Sequence, residues 1–221
     1  CLMAAKGTVF GALSTWITGV YKHAPVLISS WGNLYVFVPT TDGVTYTRIQ
    51  VYRSTDGGTN WSWLNANYWT PTNIGNLSDI DGMHVSQNGD EFRILITYFG
   101  SPDTYITEYN TFAPNSSGTG SWGTQQTIYN SSGGEDLSPT YVTCDLVERS
   151  DGDLVAFFHY TPEKIKGTIY GRMAAAVDTG TGFGTPVVKD STVANSYTGG
   201  SGAYVTTTDS ITVVYKINGT G

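Results

Sequence analysis

Charge is scarce in this chain. Only 13% of its 221 residues are Asp, Glu, Lys or Arg, against roughly 25% in an average soluble domain. The basic residues are the scarcer sign. Eleven Lys and Arg against 18 Asp and Glu leave a net charge of −7. Phosphate backbones and anionic lipid surfaces are gripped by clustered Lys and Arg, so neither nucleic acid nor such a surface is an expected partner. No apolar run approaches the roughly 20 residues that span a bilayer as a helix, so membrane insertion is not expected either. Cysteine and histidine are nearly missing. Cys1 and Cys144 are the two cysteines, read as free thiols or one disulfide, with Cys1 also open to lipidation. His23, His84 and His159 share no motif with a cysteine or with each other. Metal sites need closely spaced ligands of these types, so no metal and no cofactor is expected. The chain starts without Met, as a processed form or a fragment does.

What fills the space is Gly (27), Tyr (15) and many Ser, Thr and Asn. These suit strands and tight turns better than helices. A repeat organises them. Trp61, Trp122 and Phe183 each close a Gly/Ser/Thr-rich turn, and each lies 61 residues from the next. Four apolar runs share nearly the same period: Leu34–Val38, Phe92–Ile96, Leu154–Phe158 and Ile211–Tyr215. Before each comes a turn (Trp31-Gly-Asn33, Asn88-Gly-Asp90, Ser150–Asp153, Thr208–Ser210) and a partner strand (Val26–Ser29, Met83–Ser86, Asp145–Glu148, Ala203–Thr206). Asn-Gly and Asp-Gly between apolar runs are hairpin signals. A third strand follows at Tyr46–Arg53, Thr104–Tyr109 and Thr168–Val177, and a fourth begins at the turn aromatic. Four antiparallel strands in about 60 residues make a β-propeller blade.

The predicted fold is therefore an all-β propeller over residues 1–221. It has a half blade at 1–22, whole blades at about 24–70, 80–130 and 140–190, and a half blade at 202–217. The two halves could pair to close a ring of four. The reading preferred here is a piece of a larger ring, because four wide blades make a cramped one.

Ser54-x-Asp56-x-Gly58-x-x-Trp61 resembles the Asp-box, or bacterial neuraminidase repeat, of sialidase-like propellers. A second copy keeps Asp178, Gly180 and Phe183, and a third keeps only Trp122. An Asp at such a turn accepts backbone N–H bonds, and the aromatic is expected to drop between neighbouring blades. These residues are thus read as scaffold. In the resembling family the box lies on the outside of the ring, away from the active site. Sialidase chemistry would further imply three arginines, a Tyr with a Glu partner, and an Asp. Here the Glu-like position is Thr143 and the Arg-like position is His159. Arg48 and Arg53, on one strand, have opposite parity and cannot share a face. Arg93 and Arg149 read as solvated.

Ligand-binding candidates are of two kinds. Asp79, Asp81, Glu135 and Asp136 lie in segments that lead into first strands, with His84 just beyond Asp81. Trp31, Tyr68 and Trp69 are aromatics the repeat does not require, and exposed aromatics suit sugar rings or a protein interface. Asp145 and Glu148 do not form a poised acid–base pair. With no catalytic set assembled, the expectation is a non-catalytic propeller. It would be extracellular, on a cell surface or on a virion, and would bind a glycan or a protein, or attach within a larger assembly. The alternatives are a sialidase-like glycosidase with residues elsewhere, and an assembly scaffold.

Overall fold

The structure, a computed structural model, describes residues 16–17, 21–23, 25–41, 47–71, 80–100, 104–130, 144–165 and 168–220. Two short strands come first, β1 (Trp16–Ile17) and β2 (Tyr21–His23). The first sheet is β3 (Leu27–Ile28), β4 (Leu34–Thr41), β5 (Thr47–Ser54) and β6 (Ser62–Trp69), with β1 also paired to β4. The second is β7 (Ile80–Asn88), β8 (Glu91–Gly100), β9 (Thr104–Pro114), β10 (Gly120–Trp122) and β11 (Gln126–Asn130), the last two both on β9. In the third, β12 (Cys144–Glu148), β13 (Leu154–Ile165), β14 (Thr168–Asp178), β15 (Val187–Val205) and β16 (Ser210–Thr220) pair in sequence order. The described pairings are antiparallel except that of β2, which runs parallel to β7. This is an all-β succession of largely antiparallel sheets.

The apolar runs fall on the second strands as read from sequence, and those of β8 and β13 are buried on both faces. In β8, Phe92, Ile94, Ile96 and Tyr98 point into one apolar cluster with the first sheet, while Leu95 points into another with the third. Glycines at φ of 79°, 56° and 92° turn the first three hairpins at Gly32, Gly89 and Gly152. Asp209 takes the same left-handed region, φ 46°, in the fourth. Short polar side chains tolerate that conformation best after glycine.

The core lies between the sheets. The first seam is aromatic: Phe37, Phe92, Phe112 and Trp122 meet with ring centroids 5.2–6.4 Å apart. The second joins Leu95 and Tyr109 to Leu146, Ala156, Phe158 and Ala174. The third sets Val147, Val155, Phe157 and Ala175 against Tyr204, Ile211 and Val213 of the β15–β16 hairpin. A polar link crosses each seam about one repeat apart in sequence. Asp90 accepts from the Ser30 backbone and hydroxyl, Glu148 from Asn88 and Arg93, and Asp209 from Arg149.

Several expectations need correction. The sheets hold five, six and five strands rather than four each. The expected outer strand of the third unit and the first strand of the last half unit are one continuous 19-residue strand, β15. No proline interrupts it, and its register shifts on both sides, against β14 around Met173 and against β16 between Thr198 and Ser201. Arg93 is not solvated. Its side chain is 11% exposed, and it pairs with Glu91 and Glu148. Burial opposes its charge, but those two carboxylates hold its pKa above the ordinary value. Arg149 is paired as well, with Asp151, Asp153 and Asp209. Trp61 does not drop between sheets: it stays partly exposed and its indole N–H donates to Gly58 O in its own turn. Trp122 and Phe183 do pack across seams, Phe183 against Tyr109 at 5.2 Å. Of the predicted half blade at 1–22, residues 1–15 and 18–20 lie outside the described residues.

Candidate functional site

The first strands of neighbouring sheets approach one another, β7 against β12 and β12 against β15. At this junction a carboxylate and an imidazole meet. Asp145 Oδ1 lies 2.5 Å from His84 Nδ1, with the Asp145 and His84 side chains 6% and 14% exposed. Oδ1 also accepts the Leu146 N–H at 2.9 Å, and Oδ2 accepts the Gly202 N–H. One buried carboxylate thus ties together first strands of all three of these elements. A Cβ at residue 202 would lie 2.7 Å from Val147 Cγ2, so a larger residue there would force Val147 to move. A buried carboxylate is stable in its charged form only when so supplied with donors. The imidazole opposite a carboxylate is an arrangement that can hold and pass a proton.

Sequence alone sets Asp145 beside Glu148 and His84 beside Asp81, and does not join the two. A signal existed: His84 and Asp145 lie 61 residues apart, one repeat, on equivalent first strands. Glu148 goes elsewhere, to Asn88 and Arg93. Asp81 lies on β7, three residues before His84. Asp79, Glu135, Asp136 and Thr143 lie outside the described residues. Cys144, next to Asp145, is a buried free cysteine whose thiol donates to Leu95 O and whose pKa is pushed well up by burial.

The aromatic candidates separate. Trp31 and Tyr68 are 48% and 40% exposed. Trp69 is not a platform for a ligand: it is 4% exposed, packs in the first seam and donates to Gln125 at 2.6 Å. Its neighbour Tyr68 points the other way and carries the Arg48 guanidinium 4.6 Å from its ring centre. Trp63, 41% exposed, is a further exposed aromatic of β6. Arg53 leaves that face altogether and donates to Ser117 O in the next sheet.

The Asp56 and Asp178 turns are closed on themselves. Asp56 Oδ1 accepts from Asn60 N and the Ser54 hydroxyl, and Oδ2 from the Asn60 amide. These donors, Asn60 foremost, lower the Asp56 pKa from 3.8 to about 2. Gly58 sits at φ 92° and donates its N–H to Ser54 Oγ. Asp178 accepts from Gly180 and Gly182 in the same manner. Among the described residues no group of three or more His, Cys, Asp or Glu could hold a metal ion, and no helix is long and apolar enough to cross a membrane.

No protein-family model and no curated protein sequence matches the chain. Solved structures do. An α-L-arabinanase of Penicillium chrysogenum complexed with arabinobiose is similar at 13% identity and a TM-score of 0.49, over 86% of this chain and 54% of that one. An α-L-arabinofuranosidase of Fusarium graminearum with an iminosugar inhibitor is similar at 11% and 0.48, over 72% and 46%. An ulvan lyase of a polysaccharide lyase family is similar at 10% and 0.42, over 73% and 42%. The chain spans about half the length of these structures. The expectation of a non-catalytic binding or attachment propeller is corrected accordingly: the similar structures are carbohydrate-active enzymes. None of these three is a sialidase. At these scores and identities the likeness assigns no reaction and no substrate to this chain.

Proposed function

We propose that the chain is part of a carbohydrate-active propeller enzyme that hydrolyses glycosidic bonds. Its sheets are blades, and its active centre lies where their first strands meet. The observation that carries this reading is the buried His84–Asp145 pair on β7 and β12. Glycoside hydrolysis asks for carboxyl groups on either side of the scissile bond, one protonating the leaving oxygen and the other acting as base or nucleophile. Asp81, on the strand that carries His84, is proposed as one of them. Asp79, Glu135 and Asp136 belong to segments leading into β7 and β12 and are proposed to supply the other. Asp145 and His84 then act as positioning residues: Asp145 fixes the ring orientation and the spacing of the two strands. Trp31 and Tyr68 are proposed to touch the more distant sugar units of a longer glycan.

The test is sugar release from a panel that begins with arabinobiose and α-L-arabinofuranosides and extends to sialosides and ulvan oligosaccharides. Turnover of one glycoside is expected. Asp81→Asn is expected to lower kcat by roughly 10²–10⁴-fold, the usual worth of a general acid or base, with an unchanged melting temperature. A panel without any turnover, or an Asp81→Asn variant as active as the parent, sinks the reading.

A further inference from the structure

Of the first strands β3, β7 and β12, β7 alone is paired along both edges among the described residues. One edge carries β8 and the other carries β2, which is also the exception in direction, running parallel to it. Just before β2 in the chain, β1 pairs with Thr40 and Thr41 at the end of β4. The Ser30–Asp90 link holds the hairpin turns of the first two sheets together. Thr41 and Asp81 therefore both lie at the opposite end of their sheets. So β1 and β2 sit on different sheets but at the same end, the one that carries Asp81.

The register of β2 on β7 is Tyr21 to Gly82, Lys22 to Met83 and His23 to His84. Residues opposite one another in a sheet share a face, and faces alternate along each strand. Met83 belongs to the core of the first seam, and His84 meets Asp145 on the other side. Tyr21 and His23 therefore take positions on the His84 face of β7, and Lys22 takes the opposite one. Tyr21 falls opposite a glycine, and glycine within a strand marks a place where another group comes close. Beside that glycine the β7–β8 register shifts: Ile80 pairs with Tyr98 and Gly82 with Thr97. Asp81 is thus the extra residue of a bulge, a device that re-aims a side chain and recurs beside active sites. The bulge, the glycine and the Tyr21 register position coincide.

We propose that β2 is a wall of the active centre and that Tyr21 is its sugar-contacting residue, selecting an uncharged sugar ring at the unit next to Asp81. This rests on the placement of the centre under the proposed function, but the contact itself needs no hydrolysis. A tyrosine offers a ring face to the C–H groups of a sugar and a hydroxyl to its O–H groups. Asp81 and Asp145, on the two first strands that meet here, disfavour an anionic sugar, since like charges brought together are costly.

Calorimetric titration of the whole chain with arabinobiose, xylobiose, lactose and sialyllactose tests it. The parent is expected to bind at least one of the three neutral disaccharides. Tyr21→Ala and Tyr21→Leu are each expected to weaken that binding about tenfold, and Tyr21→Phe, which keeps the ring, to stay within about threefold of the parent. Leucine keeps apolar bulk at the position should alanine loosen β2. Lys22→Ala, on the same strand but the other face, is expected to bind as the parent does. For any glycoside that is turned over, Tyr21→Leu should raise KM with kcat nearly unchanged, whereas Asp81→Asn lowers kcat. The proposal is overturned by a parent that binds no neutral disaccharide, or by sialyllactose binding more tightly than lactose. It is equally overturned by a Tyr21→Leu variant that binds like the parent, or by a Lys22→Ala variant that loses as much as Tyr21→Leu. Neutral-sugar binding that depends on Tyr21, in a protein that turns over no glycoside, supports the contact and sinks the hydrolase reading alone.

Discussion

The first and third seams do the same job with different material. The first buries Tyr35, Phe37, Phe92 and Phe112 at 0–1% exposure, with Trp69 and Trp122 closing its outer side. The third relies on Val147, Val155, Phe157 and Ala175 at 2–8%. Beside the third seam lies a cleft of about 400 Å³ lined by Val155, Phe157, Val177, Ile211 and Val213. The difference follows from what each sheet faces. A sheet met by a full set of strands can use large rings across its whole width. One met by a two-stranded hairpin leaves its outer part uncovered. The third seam is therefore expected to be the weaker of the two.

The largest effect should come from the first seam. Phe92→Ala removes a ring that touches Tyr35, Phe37 and Phe112, and such truncations cost about 3–5 kcal/mol. Val155→Ala in the third seam removes two methylene equivalents beside an existing cleft and should cost about 1–2 kcal/mol. Urea unfolding of both variants checks the comparison, and equal losses would break it. Next comes the polar link. Arg93→Ala leaves Glu148 without its charged partner and should cost about 1.5–3 kcal/mol. The matching change at the third seam, Asp209→Ala, touches an exposed pair. It should shift the melting temperature less, and 1 M salt should erase the shift.

The smallest effect should lie in the Asp56 turn. The Asp56 pKa is lowered on folding, so its contribution is fully present above about 3.8 and is lost as pH falls through about 2. Asp56→Asn should therefore melt below the parent near neutral pH, and the two melting curves should converge as the pH approaches 2. A difference that persists there would mean that Asp56 acts through packing instead of charge.

The repeat was legible because it is written in local chemistry. The second-strand runs Leu34–Val38, Phe92–Ile96, Leu154–Phe158 and Ile211–Tyr215 fall inside β4, β8, β13 and β16. Their turns carry the glycines and the Asp that tolerate positive φ. What stayed hidden depends on which sheet neighbours which. Arg93 looks like a surface residue until the third sheet brings Glu148 against it. Trp69 looks like a spare aromatic until Gln125 receives its N–H. The His84–Asp145 pair joins two sheets, and nothing local to either residue announces the other. Trp61 matches its box better than Trp122 matches its own, yet Trp122 is the one packed against the first seam's core. The motif specifies the turn, and the neighbouring sheet decides what the ring packs against.

A crystal structure with arabinobiose bound tests the proposed active centre most directly. The disaccharide is expected against the first strands, within hydrogen-bond reach of residues on β7 and β12, with Asp81 facing a glycosidic oxygen or an anomeric carbon. A sugar found only on the outward aromatics Trp63 and Tyr68, with the His84–Asp145 junction closed to it, would contradict that placement.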